Sequence, residues 1–353
     1  MSIQSEITRL QTAKANLKTS LENKGATVPS NTTLDGYPAI VNNLPDPKKF
    51  NITIHDLFGE VDSNGVYHEP ETQANVVFTG IKKFADEFCM MYGFANHPDI
   101  RTVSFPDLED ANKRQCLYCT FTGCINLTSV SFPKLADMSG YSAAMQSMFS
   151  GCTSLTSLNL GSLTKANNTG LQYVCNHCSN LTSVNLDSLQ QVSLNGLEGA
   201  FRYCKLTNIS LPALTEVYGR GCTVFVADNP TLTSASLPVL KKLSGQWSFQ
   251  NAFLNTGLTT ITFPALDDLK TGQQSLSYCF QNCASLTSVS FPALKSDSFG
   301  SYTNQFNNML SGVTGCTVHF PSNLQSVIGS WSDVTAGFGG TNTTVLFDLP
   351  ATK

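Results

Sequence analysis

One nine-residue phrase recurs through most of this chain and leaves few folds open to it. It reads LTSVSFPKL at Leu127–Leu135 and LTSVSFPAL at Leu286–Leu294, with variants opening at Leu155, Leu181, Leu206, Leu232 and Leu258 and a first copy, IRTVSFPDL, at Ile100. The steps between openings are 27, 28, 26, 25, 26, 26 and 28 residues. A unit of that length cannot bury its own Leu, Val and Phe side chains, so the copies must stack, each covering the next. Within a copy, Leu127, Val130 and Phe132 are set against Thr128, Ser129 and Ser131, the pattern of a short strand with one face inward. The Pro that often follows ends the strand where the ladder needs no N–H. Stacked at about 4.8 Å per rung, roughly nine such strands give a parallel sheet about 40 Å long in the stacking direction.

The stretch before each opening ends in F-x-x-C at Phe121–Cys124, Phe149–Cys152 and Phe280–Cys283, and its spacing predicts a short helical turn. Cys124, Cys152, Cys178, Cys204 and Cys283 share one place, two or three residues before the leading Leu, where Asn229 and Thr256 stand in other copies. A slot that alternates between Cys, Asn and Thr predicts a ladder of small buried side chains bonding loop backbone.

The order F-x-x-C-x-x-L-x-x-V-x-F-P-x-L resembles the BspA-like, or Treponema-type, leucine-rich repeat over residues 77–325. That resemblance implies a leucine-rich repeat solenoid, mostly β with short helices and turns, its parallel sheet on one curved face. The copies at Leu206 and Leu258 depart from the pattern by being shortened before the leading Leu, and Ala235 weakens an apolar slot. Irregular turns are expected there.

The rest of the chain divides as follows: a helix over 1–24, a linker over 25–50, a β-rich cap over 51–79, repeats over 80–315 and a capping unit over 316–353. In the first segment Ile3, Ile7, Leu10, Leu17 and Leu21 keep the a/d rhythm of a coiled coil, with Gly25 and Pro29 as stop signals. The amphipathic helix is expected to self-associate. Lys24, Gly25, Thr27, Val28 and Pro29, then Leu34, Asp35, Gly36, Tyr37 and Ile40, resemble a segment near the start of many phage and prophage tail or fibre proteins.

Charged residues make up only 13% of the chain and the formal net charge is −4, so there is no electrostatic footprint for nucleic acid. No segment approaches the ~20 apolar residues of a membrane span, and the N-terminus lacks the apolar core and cleavage site of a secretory signal. The five histidines fall in no nucleophile or metalloprotease pattern, and there is no P-loop or dinucleotide fingerprint. Asp107, Glu109 and Asp110 follow a strand, where charge usually marks a solvated loop. Cys175, His177 and Cys178 form the best metal pattern, with Cys116 and Cys119 in repeat register. Cys178 belongs to the ladder, however, and paired zinc knuckles are lacking, so neither metal nor cofactor is expected.

Two surfaces remain for binding. One is the sheet face carrying Thr128, Ser129, Ser131, Thr156, Ser157, Asn159, Thr182, Ser183 and Asn185. The other is a set of aromatics between strands, Tyr173, Tyr203, Tyr218 and Trp247, which either stack on a sugar or a protein partner or simply cover the convex side of the core. The functional expectation is a non-enzymatic binding protein of a phage or prophage virion, located in the virion or outside the cell after release. The alternative is a bacterial surface adhesin contacting host protein or glycan.

Overall fold

In the computed structural model, residues 74–352 apart from 85, 139, 141 and 142 are described, together with 14, 18, 60, 61, 67 and 68. Of the expected N-terminal helix, Lys14 and Lys18 are helical; the seam of Ile3, Ile7, Leu10, Leu17 and Leu21 lies outside the described residues, as does the linker. Strands β1 (Glu60–Val61) and β2 (Tyr67–His68) pair antiparallel.

Each repeat makes one coil with three sides. The first side is the predicted strand: β3 (Ala74–Val77), β4 (Ile100–Ser104), β5 (Ser129–Ser131), β7 (Ser157–Asn159), β9 (Ser183–Asn185), β11 (Asn208–Ser210), β13 (Ser234–Ser236), β15 (Thr260–Thr262), β17 (Ser288–Ser290), β18 (Thr317–Pro321) and β19 (Thr344–Leu349). All pair parallel, in the hydrogen-bonded groups β3-β4-β5, β7-β9, β11-β13 and β15-β17-β18-β19. Among the described residues β3 is therefore the first rung and β19 the last. Two of the three interruptions fall beside β11 and β15, the strands of the shortened copies, where irregularity was expected.

The Pro after the strand has a counterpart in copies that lack it. Gly161 and Asp187 occupy the Pro position, and their amides are taken by Asn159 Oδ1 and Asn185 Oδ1, each at 2.9 Å. Elsewhere the same strand position is Ser, Thr or His followed two residues later by Pro. A strand end is thus finished either by removing the N–H or by bonding it.

The second side was not foreseen from the sequence. A six-stranded parallel sheet runs β6 (Asp137–Met138), β8 (Lys165–Ala166), β10 (Gln191–Ser193), β12 (Glu216–Tyr218), β14 (Lys242–Gln246) and β16 (Gly272–Gln273). Each strand is two to five residues long, and all but β16 send one or two side chains, such as Val192, Val217 and Leu243, into the core.

On the third side a stack of turns replaces the expected short helix. Along Leu117–Cys124 the amides of Leu117, Cys119, Phe121 and Gly123 bond carbonyls of the next coil, and those between them bond back three residues. Positive φ recurs every fourth residue, as at Gln115, Cys119 and Gly123. Buried side chains recur at the same interval, for instance Leu117 and Phe121, Met145 and Phe149, Leu197 and Phe201. The core between the three sides is one continuous cluster. Stacked phenylalanine columns mark its ends: Phe78, Phe105 and Phe132 at one, Phe263, Phe291, Phe320 and Phe347 at the other.

Candidate functional site

The cysteine ladder is structural. Sγ of Cys124, Cys152, Cys178, Cys204 and Cys283 donates to a carbonyl of the preceding coil at 3.0–3.2 Å. Asn229 does the same through Nδ2 to Phe201 O at 2.8 Å. Asn229 also mends a deletion. In regular copies the leading Leu amide bonds the ladder residue three back, as Leu181 N to Cys178 O. Leu206 is only two residues past Cys204, and its amide instead donates to Asn229 Oδ1 at 3.0 Å.

Cys175 stands three residues before its ladder Cys, the place held by Phe121, Phe149, Phe201, Phe253 and Phe280 elsewhere. The C-x-x-C pattern is therefore a core slot next to a ladder slot. Cys175 and Cys178 are buried, whereas His177 between them is exposed, so the three do not converge. Among the described residues no group of three or more His, Cys, Asp or Glu is placed to share a metal ion. The eleven cysteines other than Cys89 are buried thiols. Burial pushes Cys116, Cys124 and Cys316 up to about 12. Neutral thiols are favoured in the fold, so their contribution is complete below the unfolded thiol range and declines as pH rises from about 9 toward 12. With a thiol-specific chromogenic disulfide at pH 8, Cys89 is expected to react within minutes and the other eleven only after unfolding. Rapid native reaction of more than one thiol would contradict a dry ladder.

The carboxylates that follow the strand make local surface contacts. Asp107 accepts from Gly80 N and from Lys134 Nζ, Glu109 sits 3.7 Å from Lys82, and Asp110 Oδ1 caps Asn112 N.

The predicted sheet face divides. Thr128 and Thr182 donate to Arg101 O and Thr156 O of the preceding coil, and Asn159 and Asn185 finish strand ends. Thr156, Ser129, Ser157 and Ser183 are exposed and Ser131 is half-buried. This face repeats itself from rung to rung.

The turn face does not. Tyr173, Tyr203 and Trp247 come together there with charged partners that sequence reasoning missed. Glu198, buried, accepts from Gln172 Nε2 at 3.0 Å, from Asn195 Nδ2 and from Arg220 Nη2 at 3.4 Å, with Tyr173 Oη at 3.5 Å. Burial, then the Glu198 charge, raise the Tyr173 phenol above its ordinary value. Arg220 lies over the Trp247 ring at 5.3 Å, and Trp247 Nε1 donates to Gln274 at 2.7 Å. One coil along, Arg202 covers Tyr203 at 4.5 Å and bonds Asp228 Oδ2 at 2.7 Å, while His177 stacks on Tyr203 at 4.4 Å. The guanidinium side is outermost in both ion pairs: the Arg220 and Arg202 side chains are 43% and 31% exposed, Glu198 and Asp228 9% and 13%. Tyr218 is 47% exposed but belongs to β12, on the second sheet.

The patch shares the backbone conformation of the whole turn stack. Tyr173, His177, Tyr203 and Trp247 all have φ between 54° and 60°. In the row of His177 and Tyr203 other coils carry Gly123, Gly151, Asn255 and Asn282, whereas Phe88, Tyr92, Val224 and Tyr278 hold positive φ elsewhere on the turn face. A bulky side chain there costs on the order of 1 kcal/mol, a cost the turn stack carries along its length.

The repeats match the BspA type leucine rich repeat region at residues 90–225 and 232–330, about two thirds of the chain. The chain belongs to that family. Among solved structures it is similar to a leucine rich cell surface protein from Faecalibacterium prausnitzii, at 15% identity and a TM-score of 0.30, covering 81% of this chain and 92% of the other. It is also similar to the pneumococcal vaccine antigen PcpA, at 12% identity and a TM-score of 0.30, covering 83% of each. A search of curated proteins returned no match.

Proposed function

We propose that this chain is a non-enzymatic binding protein of a bacterial surface, whose solenoid holds a contact patch for host protein or glycan. The observation that carries the reading is the turn-face cluster of His177, Tyr203, Arg202, Arg220 and Trp247: aromatic and guanidinium groups, partly exposed and fixed in place by ion pairs beneath them. Side chains of these kinds dominate the energetics of recognition surfaces, since they offer large contact area at little cost in rotamer freedom once ordered. Membership of a repeat family that builds extended scaffolds supports the same reading. The virion role, the first expectation from the sequence, drew chiefly on the resemblance over residues 24–40, which lie outside the described residues; the family match supports the surface adhesin given as its alternative. Among the described residues no helix is long and apolar enough to cross a membrane.

The test is saturable binding of fluorescently labelled full chain to epithelial cells and to immobilised mucin and fibronectin. Saturation in the micromolar range or below on at least one surface is expected. Linear, non-saturating uptake on all three would overturn the reading.

A further inference from the structure

The inner end of the aromatic stack is open. On the turn face one position of each coil forms a row of neighbouring rungs, because the amide at that position bonds the next coil: Asn96 N to Thr122 O, Gly123 N to Ser150 O, Gly151 N to Asn176 O, His177 N to Arg202 O and Tyr203 N to Ala227 O. The row therefore reads Asn96, Gly123, Gly151, His177, Tyr203. Tyr203 covers one face of the His177 ring. The other face looks onto the Gly151 rung, which has no side chain. Beyond it the Asn96 carboxamide leans over Gly123, for a Cβ on Gly123 would run into Asn96 Oδ1. A Cβ on Gly151 would meet nothing nearer than the Gly123 backbone at 3.8 Å.

We propose that this empty rung is a sugar subsite, taking one pyranose ring of a glycan between the His177 ring and the Asn96 carboxamide; the proposal rests on the surface-binding reading above. From His177 to the far wall is two rungs, about 9.6 Å at the usual strand-like spacing, which leaves about 4–5 Å on each side of a single ring. The two walls differ in chemistry. His177 offers a flat ring, already ordered by Tyr203, against which the C–H face of a pyranose packs. Asn96 offers two N–H donors and a carbonyl, the groups that sugar hydroxyls need. Asn96 is exposed, and its side chain makes no hydrogen bond with another described residue. An aromatic side chain from a protein partner would set one apolar face against that carboxamide, leaving it dry and unbonded. A pyranose satisfies both walls, and further sugar units would run over Tyr203 toward the Arg202 guanidinium.

The experiment uses the full chain on an array of defined oligosaccharides, followed by saturation-transfer NMR with the tightest binder. Gly151→Asn fills the rung, and His177→Asn removes the stacking wall. Both place a residue that this row already accepts at positive φ, as Asn255 and Asn282 show, so both variants should fold. Asn282→Gly, which opens a rung far along the same row, is the control. The expected result is an array binder whose affinity falls tenfold or more in both variants and holds in the control, with circular dichroism unchanged throughout. A binder retained by both variants would overturn the subsite while leaving the surface-binding reading intact. No oligosaccharide binding beside saturable binding to a protein-coated surface would overturn the sugar assignment alone. Loss of all saturable binding in the wild type would fall on the parent reading.

Discussion

Leu181→Asp is expected to split the solenoid into two separately melting parts. Leu181 is fully buried in the middle of the stack, and its amide closes the turn from Cys178. Removing its side chain costs about 2–5 kcal/mol, and the carboxylate put in its place adds several more unless the coil opens to admit water. Opening is the cheaper response. In a stack where each coil touches only its neighbours, a broken coil uncouples the two sides without unfolding either outright. The wild type should unfold in urea as one transition. The variant should show two, with limited proteolysis cutting near residues 165–185 first. Thr182→Asp is the matched control: Thr182 is exposed and loses only its bond to Thr156 O, worth about 1 kcal/mol. A single, nearly unshifted transition for Leu181→Asp would contradict a continuous core at this rung.

The second large effect is expected at Asn229. This fully buried carboxamide donates to Phe201 O, Val226 O and Ala227 O and accepts from Leu206 N. Asn229→Leu orphans the Leu206 amide and strips those carbonyls of a donor. At about 1–3 kcal/mol for each buried group left without a partner, a loss of about 3 kcal/mol or more follows. Asn229→Cys restores the residue most common on this ladder and, with it, the bond to Phe201 O. It cannot accept as amide oxygen does from Leu206 N, so its cost should be intermediate, about 1–2 kcal/mol. Urea midpoints at equal slope rank the three proteins. If Asn229→Cys proves as stable as the wild type, the mended deletion is not a feature of the fold.

These two sites show where the sequence was legible. The leading leucines, the strand they open and the Cys-Asn-Thr ladder are all visible as repetition, because stacking forces neighbouring coils to put like residues at like places. The second sheet was hidden because its strands are two to five residues long, and one inward residue such as Val192 or Met138 makes no alternation. The turn stack was misread for a physical reason. Buried residues four apart, as at Leu197 and Phe201, satisfy a helical spacing equally well, and the hydrogen bonds that distinguish the two go to another coil. A signal was available in the Gly and Asn residues one position before several ladder residues, at Gly123, Gly151, Asn255 and Asn282, which suit positive φ rather than a helix interior.

The candidate site was legible only in part. Tyr173, Tyr203 and Trp247 could be singled out as aromatics outside the strands, but Tyr218 looked the same and sits on the second sheet. Nothing in spacing alone joins Glu198 to Arg220 or Arg202 to Asp228, 22 and 26 residues apart, until the register of the turn stack is known. The sheet face looked promising because it repeats. Thr128, Thr182, Asn159 and Asn185 spend their bonds on neighbouring coils and strand ends, while Thr156 and the serines at 129, 157 and 183 stay exposed.

The central claim is that the unlike residues of the turn face, rather than the repeated Ser and Thr of the sheet, make the contact with ligand. Two surface variants of the full chain test it most directly by flow cytometry on epithelial cells. One carries His177→Asn, Tyr203→Asn and Trp247→Asn; the other carries Ser129→Gln, Ser157→Gln and Ser183→Gln on adjacent rungs of the sheet. Cell binding should fall at least tenfold for the first and stay within twofold of wild type for the second. Binding lost by the sheet variant and kept by the turn-face variant would contradict the account.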